Sequence, residues 1–211
     1  MKTILVHGTG HRADSWNQTV CLMDEKLDIV CPDLNTLLHH QETSYASLYS
    51  AFSRYCRSFN DSLCICGLSL GGVLALDFAL EYPDQVKKLV LIGAPHKVPK
   101  FLFHLQNLVF HFLPRSTFKN MAFDKKETLS LTKSMVDINF EDRIHDFLIP
   151  TILLCGDQDK INIKSAQYFN DHMKNAKQII LSNTGHIVNE ENPQELAKLL
   201  NDFFCRLKRN E

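Results

Sequence analysis

The 211-residue chain lacks a charge excess of either sign, a CxxC pair, internal repeats, low-complexity stretches and any apolar run long enough to span a bilayer. Lys+Arg 23 against Asp+Glu 24 give a net charge of −1, so there is no general reason to bind nucleic acid or an anionic membrane. The longest apolar stretch, Phe101 to Leu113, is broken by His104, Gln106, Asn107 and His111, which predicts no integral membrane association. Met1-Lys2 lead directly into a short apolar run without a small-residue cleavage site, unlike a signal peptide. Seven cysteines, an odd number, lie mostly in apolar runs (Cys64, Cys66, Cys155); they read as reduced core residues and predict a cytoplasmic protein. A composition of 45% hydrophobic and 22% charged residues excludes a disordered, collagenous or fibrous chain, and the length suits one domain.

What is present is an alternation of short apolar runs with longer segments of helical period, the pattern of βαβ units. The runs are TILVH (3–7), DIVCP (28–32), LCIC (63–66), KLVLIG (88–93), TILLCG (151–156) and KQIIL (177–181). They are nearly continuous in apolar character, as parallel strands covered on both faces should be. The fold class expected is α/β, with a mostly parallel sheet of about six strands and helices on both faces. Helices are predicted over Ser44 to Phe59, Leu70 to Tyr82, Lys164 to Lys174 and Pro193 to Leu207. Between Pro95 and Pro150 the alternation stops, and this Phe-rich stretch reads as an inserted helical segment.

Gly67-Leu68-Ser69-Leu70-Gly71 lies directly after the strand LCIC and before a helix. A serine on so tight a turn needs small residues on either side, and the turn lifts its hydroxyl above the sheet edge beside a helix N-terminus. A nucleophilic serine needs a base, and the base an orienting carboxylate. Asp157 and Asp159 follow the strand TILLCG, and His186 follows KQIIL; both positions fall at C-terminal strand ends, where open parallel sheets place their sites.

These residues and their order resemble the α/β-hydrolase superfamily, and the resemblance spans nearly the whole chain. VHGTG (6–10) is similar to its oxyanion loop, GLSLGG to its nucleophile elbow, GDQD (156–159) to its acid turn, and Gly185-His186 with Glu190 to Pro193 to its histidine loop. The resemblance implies a single domain over 1–211 with residues 96–147 as a cap. It implies a triad of Ser69, Asp159 and His186, with Asp157 as the alternative acid. Oxyanion donors would be the backbone N–H groups of Thr9 and Leu70. Phe101, Phe110 and Trp16 are the candidate substrate contacts, although Trp16 reads first as packing beneath the oxyanion loop; the basic residues between Lys97 and Lys126 read as a solvated face, with attraction for an anionic substrate as the functional alternative. The chain has no room for the antiparallel hairpin with which many relatives begin, so a shortened sheet is expected. No cofactor and no metal are implied; the partner is a small acyl substrate, and the sequence carries no signal of oligomeric state.

The activity implied is hydrolysis of carboxylic esters or thioesters. The same triad leaves open C–C bond cleavage, lyase chemistry and perhydrolysis, or a catalytically slow receptor of the same fold. A competing pattern is Gly8-x-Gly10-x-x-Ala13 with Asp33 beyond the next strand, a dinucleotide-binding fingerprint that leaves Ser69, Asp159 and His186 unexplained. His7 is expected to fix its loop by hydrogen bonding rather than to act in catalysis.

Overall fold

A computed structural model describes residues 1–39, 41–98, 114–119 and 121–205. Six strands form one sheet: β1 (Lys2–Val6), β2 (Asp28–Val30), β3 (Leu63–Leu68), β4 (Val86–Ile92), β5 (Thr151–Gly156) and β6 (Ala176–Leu181), in the order β2-β1-β3-β4-β5-β6. Every adjacent pair is parallel. The predicted α/β class and six-strand count therefore hold, and the sheet is wholly parallel.

Side chains of one strand alternate between two separate cores, which is why the runs are apolar throughout. Ile4, Val6, Leu63, Ile65, Leu89, Leu91, Leu153 and Cys155 enter one cluster; Leu5, Cys64, Cys66, Val90, Ile92, Ile152 and Leu154 enter the other. On the first face lie α3 (Tyr45–Arg57), α4 (Leu70–Glu81) and α6 (Lys160–His172), contributing Phe52, Phe78 and Phe169. The second face is covered by α8 (Pro193–Cys205), with Leu196, Leu200 and Phe204, and by Trp16 from a 3-10 turn leading into α1 (Asn17–Val20). Short helices α2 (Leu34–Leu38) and α7 (Val188–Glu191) line the loops.

Helix ends follow local chemistry. Ser44 caps α3 by accepting from Ser47 N at 3.2 Å, and α4 stops before Pro83, which cannot continue a helix. The expectation of a helix starting at Lys164 is corrected: α6 begins four residues earlier because Asp159 caps it, accepting from Asn162 N. All seven cysteines are free thiols, but only Cys56, Cys64, Cys66 and Cys155 are buried; Cys21 and Cys205 are exposed, which corrects their reading as core residues.

Of residues 96–147, those described include a 3-10 turn at Arg115–Phe118, helix α5 (Lys125–Ser134) and a 3-10 turn at Glu141–Arg143. The two ends of this segment meet: Lys97 and Asn139 form an antiparallel bridge, Phe140 N donates to His96 O at 2.9 Å, and Val98 N to Ile138 O at 3.0 Å. Among the described residues no helix is long and apolar enough to cross a membrane.

Candidate active site

Because the sheet is parallel, all strands deliver their following loops to one edge. β1 lies between β2 and β3, so the chain leaves β1 toward one side and later returns on the other, and the loops after β1 and β3 diverge around a crevice. Ser69 follows β3 at that crevice.

The elbow is strained and closely packed. Ser69 has φ 53° and ψ −114°, a region that costs a non-glycine residue about 1–3 kcal/mol and persists only where its surroundings impose it. They do: Ser69 N donates to Ile92 O at 2.8 Å, and a Cβ at Gly67 would stand 2.2 Å from Gly71 O, one at Gly71 2.3 Å from Val6 O. The small residues flanking the serine are thus required by contact with the turn itself and with β1. Leu70 is the first residue of α4, so its N–H has no partner within the helix and points toward the crevice end of the helix dipole.

His186 and Asp159 meet beside this turn. His186 Nδ1 donates to Asp159 Oδ2 at 2.6 Å; the carboxylate is 8% exposed and the imidazole 39%. Burial acts to raise the Asp159 carboxyl, but hydrogen bonds from His186 and Asn162 outweigh it and hold it below its ordinary value, so the group is an anion. The imidazole and the carboxylate both lean on Gly93, at the end of β4 with φ 54°, where a Cβ would lie 2.8 Å from the His186 ring and 3.2 Å from Asp159 Oδ2. Ser69 N is bonded to the carbonyl of Ile92 and His186 rests on the next residue, so serine and histidine reach the same strand end.

Asp157 does a different job. Its Oδ1 accepts from Thr184 N at 3.1 Å, and Gln158 N donates to Thr184 O at 3.0 Å, tying the turn after β5 to the histidine loop. Glu191 completes that loop by accepting from Gly185 N at 2.6 Å and Ile187 N at 3.0 Å. Gly93, Asn162 and Glu191 were not singled out for these roles from the sequence. A glycine ending a strand and an Asn in a helix's first turn are common, and only the folded geometry gives them meaning.

The loop after β1 lies against the elbow: a Cβ at Gly8 would be 3.4 Å from Ser69 Cβ and 3.5 Å from His11 Nδ1. His7 fixes this loop as expected. Leu34 N donates to His7 Nε2 at 3.0 Å, so the proton sits on Nδ1, which donates to Gly8 O at 2.8 Å; burial lowers the ring's pKa and keeps it neutral. Gly8 and Gly10 thereby belong to a loop on the serine turn, and Asp33, the acidic member of the dinucleotide pattern, caps α2 and pairs with Arg12. Thr9, half-buried, sits in that loop. His11 is 3.9 Å from Glu190, and its O accepts from Ala122 N at 3.3 Å, a contact between the loop and the 96–147 segment. Trp16 is not a substrate wall: it has no exposed surface and packs beneath the loop in the second core. Phe101 and Phe110 lie outside the described residues. A broad apolar groove lined by Ala79, Val86, Phe147, Pro150 and Phe204 opens at the opposite strand ends and shares no residue with this site.

Residues 3–199 match the family model described as alpha/beta hydrolase family. The chain belongs to that family. Among curated proteins, this hydrolase is 23% identical to monoacylglycerol lipase abhd6-A of Xenopus laevis over 260 aligned residues, covering 99% of this chain and 76% of that one. That alignment is longer than the chain itself, so the relative carries insertions within the matched region. Among solved structures it is similar to a thermophilic esterase from Thermogutta terrifontis (TM-score 0.79, 16% identity, 97% of this chain and 89% of that one). It is equally similar to the meta-cleavage product hydrolase of Pseudomonas fluorescens IP01 (TM-score 0.79, 17% identity, 97% and 90%). At these identities the structural likeness establishes the fold.

Proposed function

We propose that this hydrolase is a serine esterase that cleaves carboxylic esters or thioesters of small to medium acyl groups through an acyl-enzyme on Ser69. The observation that carries the reading is the 2.6 Å His186–Asp159 pair standing at the strand end that also anchors the strained Ser69 turn. The relation to a monoacylglycerol lipase, an enzyme of ester bonds by its name, supports the substrate class.

In this mechanism Ser69 Oγ attacks the substrate carbonyl as His186 Nε2 takes its proton, and the tetrahedral oxyanion lies between the N–H groups of Thr9 and Leu70. Collapse expels the alkoxide or thiolate, which receives the proton from His186. Water, deprotonated by His186, then attacks the acyl carbon, and the carboxylic acid leaves with Ser69 restored. Asp159 keeps the Nδ1–H tautomer and stabilises the imidazolium formed twice per cycle. Residues 96–147 act as a cap, closed at its foot by the Lys97–Asn139 bridge and resting on the loop after β1 through Ala122.

Incubation with a fluorophosphonate followed by peptide mass spectrometry should place one adduct on Ser69, and Ser69→Ala should take no label and lose turnover of p-nitrophenyl esters. Folded wild-type protein that stays unlabelled, or labels elsewhere, would overturn the reading. Turnover across acyl lengths, with esters and thioesters in parallel, then sets the substrate range.

A further inference from the structure

Asn162 is part of none of the motifs described above, yet it makes more contacts with the Asp159 carboxylate than His186 does. Its Nδ2 lies 3.0 Å from Asp159 Oδ1 and 3.0 Å from Oδ2, and its backbone N donates to Oδ1 at 3.3 Å. The orientation of this amide follows from chemistry: only the NH2 end can face two carboxylate oxygens, since the carbonyl end would be repelled. Asn162 Nδ2 is also 3.3 Å from His186 Nδ1. That contact joins two donors and is not itself a bond; both N–H groups converge on Oδ2. The carboxylate is almost fully buried, so water does not supply replacement donors.

Without the Asn162 side chain, Asp159 would be held by His186 at Oδ2 and only by the long 3.3 Å bond from the backbone N of Asn162 at Oδ1, a looser restraint on rotation about its Cβ–Cγ bond. The second side-chain donor spans both oxygens and fixes the plane of the carboxylate, and with it the direction in which the imidazole presents Nε2 to Ser69. We propose that Asn162 is a positioning residue of the triad, locking the Asp159 carboxylate in the orientation that aims His186 at Ser69. This rests on the Ser69 triad proposed above.

A double-mutant cycle on the full chain, read as kcat and KM with p-nitrophenyl acetate, tests it. Asn162→Leu should lower kcat by about ten- to a hundredfold with KM within about twofold, the scale of a misaimed catalytic group. Asn162→Asp has the same shape and suits the first turn of a helix, so it should fold; lacking the N–H and adding a like charge, it should lose at least as much kcat. In an Asp159→Ala background, Asn162→Leu should cost nothing further, because the carboxylate it positions is gone. Both Asn162 variants within about twofold of wild-type kcat would overturn the proposal. An equal loss from Asn162→Leu with and without Asp159 would also overturn it, showing a role in packing alone. Failure of the parent reading has a separate signature, wild-type turnover by Ser69→Ala.

Discussion

The division of labour between two aspartates two residues apart is decided by direction. Asp159 faces His186 and starts α6, so one carboxylate both holds the imidazole and caps a helix. Asp157 faces the backbone of the histidine loop. Asn is itself a good N-cap, so Asp159→Asn should leave the melting temperature nearly unchanged while kcat falls about 10⁴-fold, because the amide no longer enforces the Nδ1–H tautomer. Asp157→Asn retains an acceptor oxygen for Thr184 N and should keep kcat close to wild type. Steady-state kinetics on the two variants checks this, and loss of turnover in Asp157→Asn alone would reverse the assignment. At this scale the sequence was readable for position: Ser69 and His186 follow β3 and β6 at C-terminal strand ends, as the apolar runs before them predict. It was opaque for Gly93, which His186 and Asp159 approach from far away in the chain, and for Asn162, whose amide meets Asp159 only through the geometry of the first turn of α6.

At the scale of elements, strands were more legible than their connections. Six apolar runs became six strands because each must fill two cores at once, a demand written into consecutive residues. The segment from 96 to 147 carries no such demand. Its closure depends on pairing across forty residues, between Lys97 and Asn139, and on Phe140, which is fully buried near Phe169 of α6 and beneath the Arg143 guanidinium. Phe140 therefore anchors the foot of the segment to the core. Phe140→Ala should destabilise the protein by about 3–5 kcal/mol, the usual cost of emptying a buried aromatic site, read as a lower urea midpoint. A midpoint equal to wild type would mean that this foot is not joined to the folding unit. The early start of α6 was missed for a related reason: Asp159 carries a catalytic signal, and its capping role is visible only once the turn exists.

For the molecule as a whole, three histidines link stability to pH. Burial is the largest influence on His7, His11 and His96, and it lowers each below the ordinary 6.5. The unfolded chain consequently takes up protons before the folded one as pH falls past 6.5, so stability is fully present above that value and declines below it. His7 has a specific reason to resist protonation, since a proton on Nε2 would remove the acceptor for Leu34 N. Urea midpoints at pH 7.5 and 5.5 should differ, the lower pH being less stable, and His7→Gln should narrow the gap. Equal midpoints would contradict a neutral, buried His7.

The amino-acid sequence by itself determined the layered α/β architecture and the edge on which the site lies, because apolar periodicity and tight-turn chemistry are local and need no distant partner. It also determined the tight turn at Ser69, where a Cβ on Gly67 would meet Gly71 of the same turn, although the demand on Gly71 comes from Val6 of β1. Only the tertiary structure decided which aspartate faces His186, that Gly93 must lack a side chain, that Asn162 grips the carboxylate, and that Trp16 is core rather than wall. Most of those outcomes depend on distances between residues tens of positions apart, set by packing two helical layers against one sheet; the Asn162 grip is local in the chain but follows from the turn geometry at the start of α6.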